Sequence, residues 1–470
     1  MFLELSTFIL YFVAILSITF FTYKKQKSDI DFVIADRSLN YWLTALSAHA
    51  SDMSSWLFMA YPAQIFLGGL FNAWAAIGLT LFMFLNWHFI APKIRIATEK
   101  TNSLTLNTYF EMHFNDKGGL RIISACLSVL FYAFYISAFL VGLGYLVDTL
   151  FNLNYLIGIT IGVGIVVFYV FLGGYRTVAW IDLFQGFFLM GVILFIPIYL
   201  ICHFYGIGPI INAVKAKHLS LSLFPDFSIN TWIQILFLAG GWGLGYFGQP
   251  HIITKFMGIQ KVEEMHKAKY VGISWEILSL CGATFLGLIG IYLFQSINNP
   301  ELITLEIVKK HLPAFFCGLV LCSILATTTN VMAAQFLVIA STLSEDFYKR
   351  FFHKNATHQD VLKISRYSVI LVALCAYILA LFKISSIYKL VLYAWSGLGS
   401  SFGPLLIFSL YSKNISKTGA YAGMLTGGIT AAIWPIFNTL LSVDIPPMIP
   451  GFALSSLVIY LAPKVQHSIK

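Results

Sequence analysis

The stretch SAHASDMSSW at residues 47–56 places a carboxylate inside a long apolar run. An aspartate near the centre of a membrane helix costs roughly 2.5–3.5 kcal/mol on insertion scales, so Asp52 indicates ion or substrate handling. The alternative is a buried aspartate that neighbouring backbone N–H groups satisfy. His49 lies three residues earlier on a similar helix face and is a candidate proton responder, although a lone histidine in a span is more often simply hydrogen-bonded.

A second interruption, AGGWGLGYFGQP at 239–250, lies in another apolar run. Glycine and proline weaken a helix, and in lipid the freed backbone groups are tolerated only where protein or a watery cavity satisfies them. A broken helix offers N–H groups to an anionic group and carbonyls to a cation, which suits a zwitterionic amino acid with a metal cation. The alternative is that the glycines only allow close helix packing.

Other side chains could contribute chemistry near these breaks. Asp182 lies near one end of a predicted span, where it faces either a vestibule or the membrane interface, and Glu276 lies about two turns inside another. Trp242, Tyr246 and Tyr135 could line a pocket for a small apolar ring. No metalloprotease motif, nucleophile elbow or cluster of metal ligands is present, so the sequence does not indicate an enzyme.

The elements that must position these residues are membrane helices. The chain is 59% hydrophobic and 10% charged, with a mean hydropathy of +0.81, which indicates the bilayer as its solvent. At about 20 apolar residues per crossing, we predict an all-α polytopic membrane protein with about 13 spans. These cover roughly 2–23, 40–67, 71–92, 122–149, 155–173, 178–203, 231–253, 270–295, 314–342, 363–382, 386–411, 418–441 and 447–462.

The two interrupted spans are the second and the seventh, so they cross the membrane in opposite directions. This spacing predicts two inverted five-helix repeats of the leucine-transporter type, with the binding site between the breaks. We therefore divide the chain into a first anchoring helix with its inner loop, two repeats and a C-terminal helix pair. The predicted boundaries are 1–38, 39–203, 204–411 and 412–470.

The net charge of +9 does not indicate nucleic acid, because the basic residues follow the membrane topology. With the N-terminus outside and the C-terminus inside, 23 of the 29 Lys and Arg residues lie on the inner side. We expect a multi-pass protein of the cytoplasmic membrane whose first span is retained. The six cysteines fall in predicted spans, and we expect no disulfides.

Several motifs resemble the sodium:solute symporter family, and within it the members that transport proline. They are ALSAHASDMSSWLFM at 45–59, GWGLGYFGQPHI at 241–252, SEDFYK at 344–349 and YAWSGLGSSFGP at 393–404. The resemblance covers nearly the whole chain. It implies a leucine-transporter-type core, alternating access, and uptake of L-proline driven by inward sodium, without a cofactor.

The resemblance also implies roles for individual residues. Asp52 matches an aspartate needed for sodium coupling, Asp182 a carboxylate of the ion path, and Arg37 a functionally sensitive arginine of the first inner loop. The implied substrate residues are Ser54, Tyr135, Trp242, Tyr246 and Pro250, together with Ser55, which replaces a family glycine.

The implied sodium site departs from the family pattern. The family uses carbonyls near Ala50 and Met53 and an adjacent Ser-Thr pair in the ninth span, where this chain has Asn330 and Val331, with Thr327 a turn away. Two hydroxyls are thus lost, while the titratable His49 and Glu276 replace small or apolar family residues. The favoured function remains sodium/proline symport, and the alternative is proton-coupled or weakly coupled transport of proline or another small solute. A symporter-like membrane sensor is the alternative of another class, disfavoured because the chain ends at Lys470 soon after the last span.

Overall fold

The computed structural model describes residues 2–23, 34–151, 153–353 and 355–468. Throughout these ranges the structure is helical and contains isolated β-bridges but no β-strand. The first half forms α1 Phe2–Tyr23, α2 Tyr41–Ala50, α3 Tyr61–Gly68, α4 Trp74–Leu85, α5 Ala91–Lys100, α6 Leu106–His113, α7 Gly119–Phe151 and α8 Tyr155–His203. The second half forms α9 Gly208–Ala216, α10 Ile229–Ile235, α11 Pro250–Met257, α12 Met265–Leu293, α13 Ile303–His311, α14 Ala314–Ser341, α15 His358–Leu381, α16 Ile387–Tyr411, α17 Lys417–Leu441 and α18 Met448–Ser468.

Local side chains determine where several of these helices begin. Asn40 accepts a hydrogen bond from the Leu43 N–H at the start of α2, and Ser386 caps α16 in the same way. Thr357 and Asp360 form a reciprocal capping box at the start of α15. Such caps satisfy N–H groups that have no partner inside the helix, so they fix helix starts that apolar composition alone leaves open.

In the described part of the chain, eight helical stretches are long and apolar enough to cross a membrane. Three shorter apolar helices cover Ile9–Thr22, Tyr155–Phe168 and Met448–Ala462. Together they coincide with all the predicted spans except the second and the seventh, which are broken. The number of 13 spans, the orientation of the termini and the four predicted units remain predictions, and the first unit includes residues 24–33, which lie outside the described ranges.

The longest helical run, Tyr155–His203, covers the fifth and sixth predicted spans. A straight helix of 49 residues would be about 74 Å long, more than twice the thickness of a bilayer core. Its first residue contacts Ala380 at the end of α15, while Phe195 packs on Phe316 at the start of α14. The end of α14 leads into the start of α15, so both contacts lie on one side of the molecule, and the run is not a single straight helix. The sequence predicts a loop at 174–177, but the backbone keeps helical geometry there.

The interior is lined by helices that carry the predicted site. The α2 helix before the first break packs against α8 and α12, and α3 after the break packs against α12. The α16 helix packs against α7 and against the irregular part of the seventh span. These elements surround one continuous buried core that includes Trp242, Tyr246 and Trp395. The broken spans are therefore enclosed by regular helices, as backbone groups away from water require.

Candidate functional site

The second span breaks where the sequence predicts. The α2 helix ends at Ala50, residues 51–54 are not helical, and a wide turn at Trp56–Ala60 leads into α3. The N–H groups of Asp52 and Met53 both bond to the carbonyl of His49 at 3.2 Å. The Ser54 hydroxyl accepts a hydrogen bond from the Trp56 N–H at 3.1 Å. A side chain of the break thus caps the helix that follows it.

The seventh span is irregular over a longer stretch and breaks near its end. A wide turn at Leu236–Gly240 leads to a tight 3₁₀ turn at Leu244–Gly248, and Gln249 is extended with φ −88° and ψ 105°. The α11 helix then begins with Pro250, which is preorganised for a first helical position. The break therefore lies in the last part of the stretch 239–250. Pro250 begins the helix after the break and is not among the residues that line the small cavity described below.

Neighbouring helices supply the hydrogen bonds of this break. The Trp395 indole N–H donates to the carbonyl of Trp242 at 2.7 Å, and the Asn86 amide donates to the carbonyl of Tyr246 at 3.0 Å. The Tyr132 hydroxyl accepts from the His251 N–H at 3.1 Å. Buried carbonyls and N–H groups thus find partners outside their own helix, as backbone removed from water requires.

The two breaks meet at Asp52 and Tyr246, whose hydroxyl donates to the Asp52 carboxylate. The same hydroxyl oxygen lies 3.2 Å from Oε1 of Glu276. His49 Nδ1 lies 3.3 Å from Oε2 of Glu276, and His49 Nε2 accepts from the Trp87 indole at 2.9 Å. All of these side chains are buried. One network therefore joins both breaks to both predicted titratable residues.

A small cavity of about 20 Å³ lies beside this network. It has room for about one water molecule. Asp52, Ser54, Tyr135 and Trp242, all predicted site residues, line it together with Met53. Ser55 is buried, and its hydroxyl has no hydrogen-bond partner among the described residues.

The sequence did not single out four further lining residues. Trp56 has its ring 4.9 Å from that of Trp242, and Trp395 packs edge-on against Tyr246 at 5.2 Å. Leu79 and Val391 complete the wall. A signal for Trp56 and Trp395 was present, since both lie in the motifs SAHASDMSSW and YAWSGLGSSFGP, but an apolar side chain in an apolar span does not stand out.

Asp182 is buried inside the protein. Its carboxylate accepts from the Ser47 hydroxyl and pairs with Lys255 Nζ at 2.9 Å, and both charged side chains are buried. Ser47 is one helical turn before Ala50, so the pair lies beside α2 just before the first break. Lys255 was not identified from the sequence, because it follows the predicted seventh span and resembles an ordinary loop lysine.

The candidate residues of the ninth span lie on α14. The hydroxyl of Thr327 bonds to a carbonyl of its own helix at 2.9 Å, and Thr328 and Thr329 do likewise. Both amide atoms of Asn330 are buried without a hydrogen-bond partner in the described chain, and Val331 is buried without a side-chain oxygen. Among the described residues no three His, Cys, Asp or Glu side chains are grouped as a metal site. A hard cation here would depend on main-chain, threonine and amide oxygens.

Arg37 joins the predicted inner ends of three segments. Its guanidinium donates to the carbonyls of Met257, Thr98 and Ser103 at 2.9–3.1 Å. Burial, with the nearby positive charge of Arg95, lowers the pKa of Arg37 to about 10, so it stays charged at neutral pH. Main-chain hydrogen bonds between Leu39 and the segment after α11 reinforce this connection. The ends of the two broken spans are therefore fastened together.

Comparison with known proteins gives a consistent result. A model of the sodium:solute symporter family matches residues 32–427. The high-affinity proline transporter PutP of Bacillus subtilis (strain 168) is 37% identical over 451 residues, which are 95% of this chain and 94% of that protein. The sodium/proline symporter of Escherichia coli (strain K12) is 34% identical over 464 residues, 96% of this chain and 91% of that protein.

Among solved structures, a Na⁺-coupled sialic acid symporter in a substrate-bound outward-open state is similar, with a TM-score of 0.82. The match covers 99% of this chain and 98% of that one, at 16% sequence identity. At this identity the likeness shows the fold alone, an all-helical transporter fold of the leucine-transporter type.

Proposed function

The chain belongs to the sodium:solute symporter family, whose members are transporters rather than enzymes, and we propose that it imports L-proline by symport with sodium. Relatives over nearly its whole length are named as proline transporters or sodium/proline symporters. We place it in the cytoplasmic membrane, in line with the positive charge of its predicted inner loops. For the core we propose repeats at 39–203 and 204–411.

The observation that carries this proposal is the contact between the two breaks, with a polar and aromatic cavity beside it. Asp52 and Tyr246 connect the broken spans, and Ser54 and Trp242 line the cavity. A proline carboxylate would take N–H groups at a helix start, and its secondary ammonium would take carbonyl oxygens. Its ring would lie against Trp242 and Tyr135. Because the cavity is far smaller than proline, binding requires these aromatic side chains to separate.

For sodium we propose the carbonyls of Ala50 and Met53 with oxygens of Thr327 and Asn330. Asn330 replaces one lost family hydroxyl with an amide oxygen that has no competing partner in the described chain, whereas Val331 replaces the other with none. Asp52 lies between Ala50 and Met53 in the sequence, and in this proposal it supplies the negative charge that attracts the ion. Asp182 follows on the ion path, where Lys255 balances its charge.

Proton-coupled or weakly coupled transport is the second candidate. The observation that favours it is the buried contact of His49 with Glu276, next to a sodium site that has lost hydroxyls. One set of proteoliposomes tests both functions. Uptake of labelled proline is measured with an imposed sodium gradient at fixed pH, then with a pH gradient in the absence of sodium. Strong stimulation by sodium alone supports sodium symport and rejects proton coupling, and the reverse result rejects sodium.

Trp242→Ala tests the substrate assignment. Loss of the ring removes one face of the pocket, and we expect the dissociation constant for labelled proline to rise by about 100-fold, the size of effect seen for buried aromatic anchors. Trp180→Ala is the matched control, because Trp180 is exposed on the protein surface. An unchanged dissociation constant for Trp242→Ala would remove that residue from the pocket.

A further inference from the structure

Trp395 bonds to both ends of the irregular stretch in the seventh span. It lies on α16 and is 2% exposed. Its indole N–H donates to the carbonyl of Trp242 at 2.7 Å, and its own carbonyl accepts from the Gln249 side-chain amide at 3.0 Å. Trp242 precedes the tight turn at Leu244–Gly248, and Gln249 follows it. A single residue on a neighbouring helix therefore spans the whole turn.

The ring of Trp395 also forms part of the cavity wall. It stands edge-on to Tyr246, with centroids 5.2 Å apart, and edge-on to Tyr135, at 6.4 Å. A Cβ atom added at Gly245 would lie 1.9 Å from the Trp395 indole nitrogen. The missing side chain at Gly245 thus makes the space that the indole occupies, and the two positions fit each other.

We propose that Trp395 is a positioning residue for substrate binding, which holds the unwound stretch open and limits the size of the ring the pocket accepts. This inference rests on the proposed function and adds to it a residue that determines which ring size the pocket accepts. Without the indole N–H, the buried carbonyl of Trp242 loses its partner on α16, and such a loss is costly away from water. The stretch between Trp242 and Gln249 then moves, and Tyr246 moves with it.

Two consequences can be measured separately. Loss of the N–H loosens the backbone and weakens proline binding. Loss of the outer part of the indole also enlarges the space between Tyr135 and Tyr246. The affinity for a ligand with a larger ring therefore rises relative to the affinity for proline. A residue that only stabilises the fold would weaken binding of all ring sizes alike, because it has no contact with the substrate space.

The test uses Trp395→Phe in the full-length protein, with binding of labelled L-proline and competition by its four- and six-membered ring homologues, azetidine-2-carboxylate and pipecolate. We expect the dissociation constant for proline to rise about 10-fold, the effect of one buried hydrogen bond. We also expect the preference for proline over pipecolate to fall by at least about threefold, since one methylene in a pocket is worth roughly that or more.

Trp74→Phe is the matched control. The Trp74 indole also donates to a main-chain carbonyl, that of Leu223, at 2.8 Å, but it lies away from the cavity. We expect its proline affinity and ring preference to equal those of the unmodified protein. A folded Trp395→Phe protein with unchanged affinity and ring preference overturns the inference, and so does an equal loss of affinity for all three rings.

Gln249→Leu keeps the inference falsifiable if Trp395→Phe does not fold. It removes the bond to the Trp395 carbonyl and leaves the indole in place. We expect Gln249→Leu alone to weaken proline affinity. Where Trp395→Phe also folds, we expect the two losses not to be additive, because both variants release the same stretch. Unchanged affinity in Gln249→Leu overturns the inference. If the unmodified protein does not bind proline, both the proposed function and the inference are wrong. If the unmodified protein binds proline and the variants bind it equally well, only the inference is wrong.

Discussion

The two broken spans are stabilised in different ways. The break at 51–54 is short and polar, and its own serine caps the helix that continues from it. The break around Gln249 is longer and lined by glycine, and its hydrogen bonds come from Asn86, Tyr132 and Trp395 on other helices. The first break is therefore determined mainly by its own residues, and the second by what packs around it.

This difference indicates that the two breaks have different roles in transport. A break that carries its own polar groups keeps a fixed shape while neighbouring helices move, which suits the site of a cation. A break held by other helices changes when those helices move, which suits a site that must release its substrate. The bond from Tyr246 to Asp52 is where the two kinds of break contact each other.

The largest effect is expected from Asp52→Asn, which removes the charge at that contact but keeps the shape. The hydrogen bond from Tyr246 then no longer goes to a charged carboxylate, and a buried hydrogen bond to a charged group contributes more than a neutral one. We therefore expect the stimulation of proline binding by sodium to be roughly 10- to 100-fold weaker. Binding of labelled proline is measured across sodium concentrations. Asp148→Asn, at an exposed position near the end of α7, is the control. Unaltered sodium dependence in Asp52→Asn would make that aspartate structural.

Gly248→Ala tests whether the second break depends on close neighbours. A Cβ atom there would lie 2.5 Å from the Gly403 nitrogen and 2.7 Å from the Gly399 oxygen, both main-chain atoms that cannot turn aside. We expect a stability loss of about 1–3 kcal/mol, as for other overpacked sites. Thermal unfolding in detergent and proline binding report it.

Gly191→Ala is the matched control for that glycine. A Cβ atom at Gly191, inside α8, would meet no atom within 4 Å, so alanine fits and favours the helix. If Gly248→Ala is as stable as Gly191→Ala and binds proline normally, close packing does not hold the second break.

The sequence predicts the first break better than the second for the same physical reason. The polar residues of SAHASDMSSW are themselves the cause of the break, so the pattern locates it to within a few residues. In GWGLGYFGQP the glycines permit a break anywhere in the stretch, and the contacts with Trp395 and Asn86 select Gln249. Hydropathy reveals neither of those partners, because each lies in an ordinary apolar span.

Side-chain partners were the least predictable part of the site. Glu276 and His49 stood out as titratable groups, yet their contact joins positions 227 residues apart in the sequence, and only the packing of α2 against α12 brings them together. Lys255 was missed because its charge suits a loop, although it lies buried against Asp182. Periodicity and composition predict helices well, whereas pairs of charges across helices follow from tertiary packing.

Arg37→Lys tests the fastening of the two broken spans at their predicted inner ends. Lysine keeps the charge but cannot donate to the carbonyls of Met257, Thr98 and Ser103 at the same time. We expect about a 10-fold lower rate of sodium-driven uptake, with proline affinity in detergent changed less than twofold, at the level of one or two lost hydrogen bonds. Lys100→Met, in an exposed position on the same side, is the control. Equal losses of rate and affinity would place Arg37 with the substrate site instead.

The smallest effect distinguishes two adjacent serines in the first break. The Ser54 hydroxyl accepts the Trp56 N–H, so Ser54→Ala should lower the free energy of unfolding by about 1 kcal/mol, as for other helix caps. We expect it to weaken proline affinity roughly three- to tenfold. The Ser55 hydroxyl is buried without a hydrogen-bond partner among the described residues. Ser55→Ala should therefore leave thermal unfolding nearly unchanged and should change the dissociation constant for proline by less than about twofold. Thermal unfolding and labelled-proline binding are measured for both variants. A larger loss in Ser55→Ala than in Ser54→Ala would mean that the break is not held by its own cap, and its contrast with the second break would disappear.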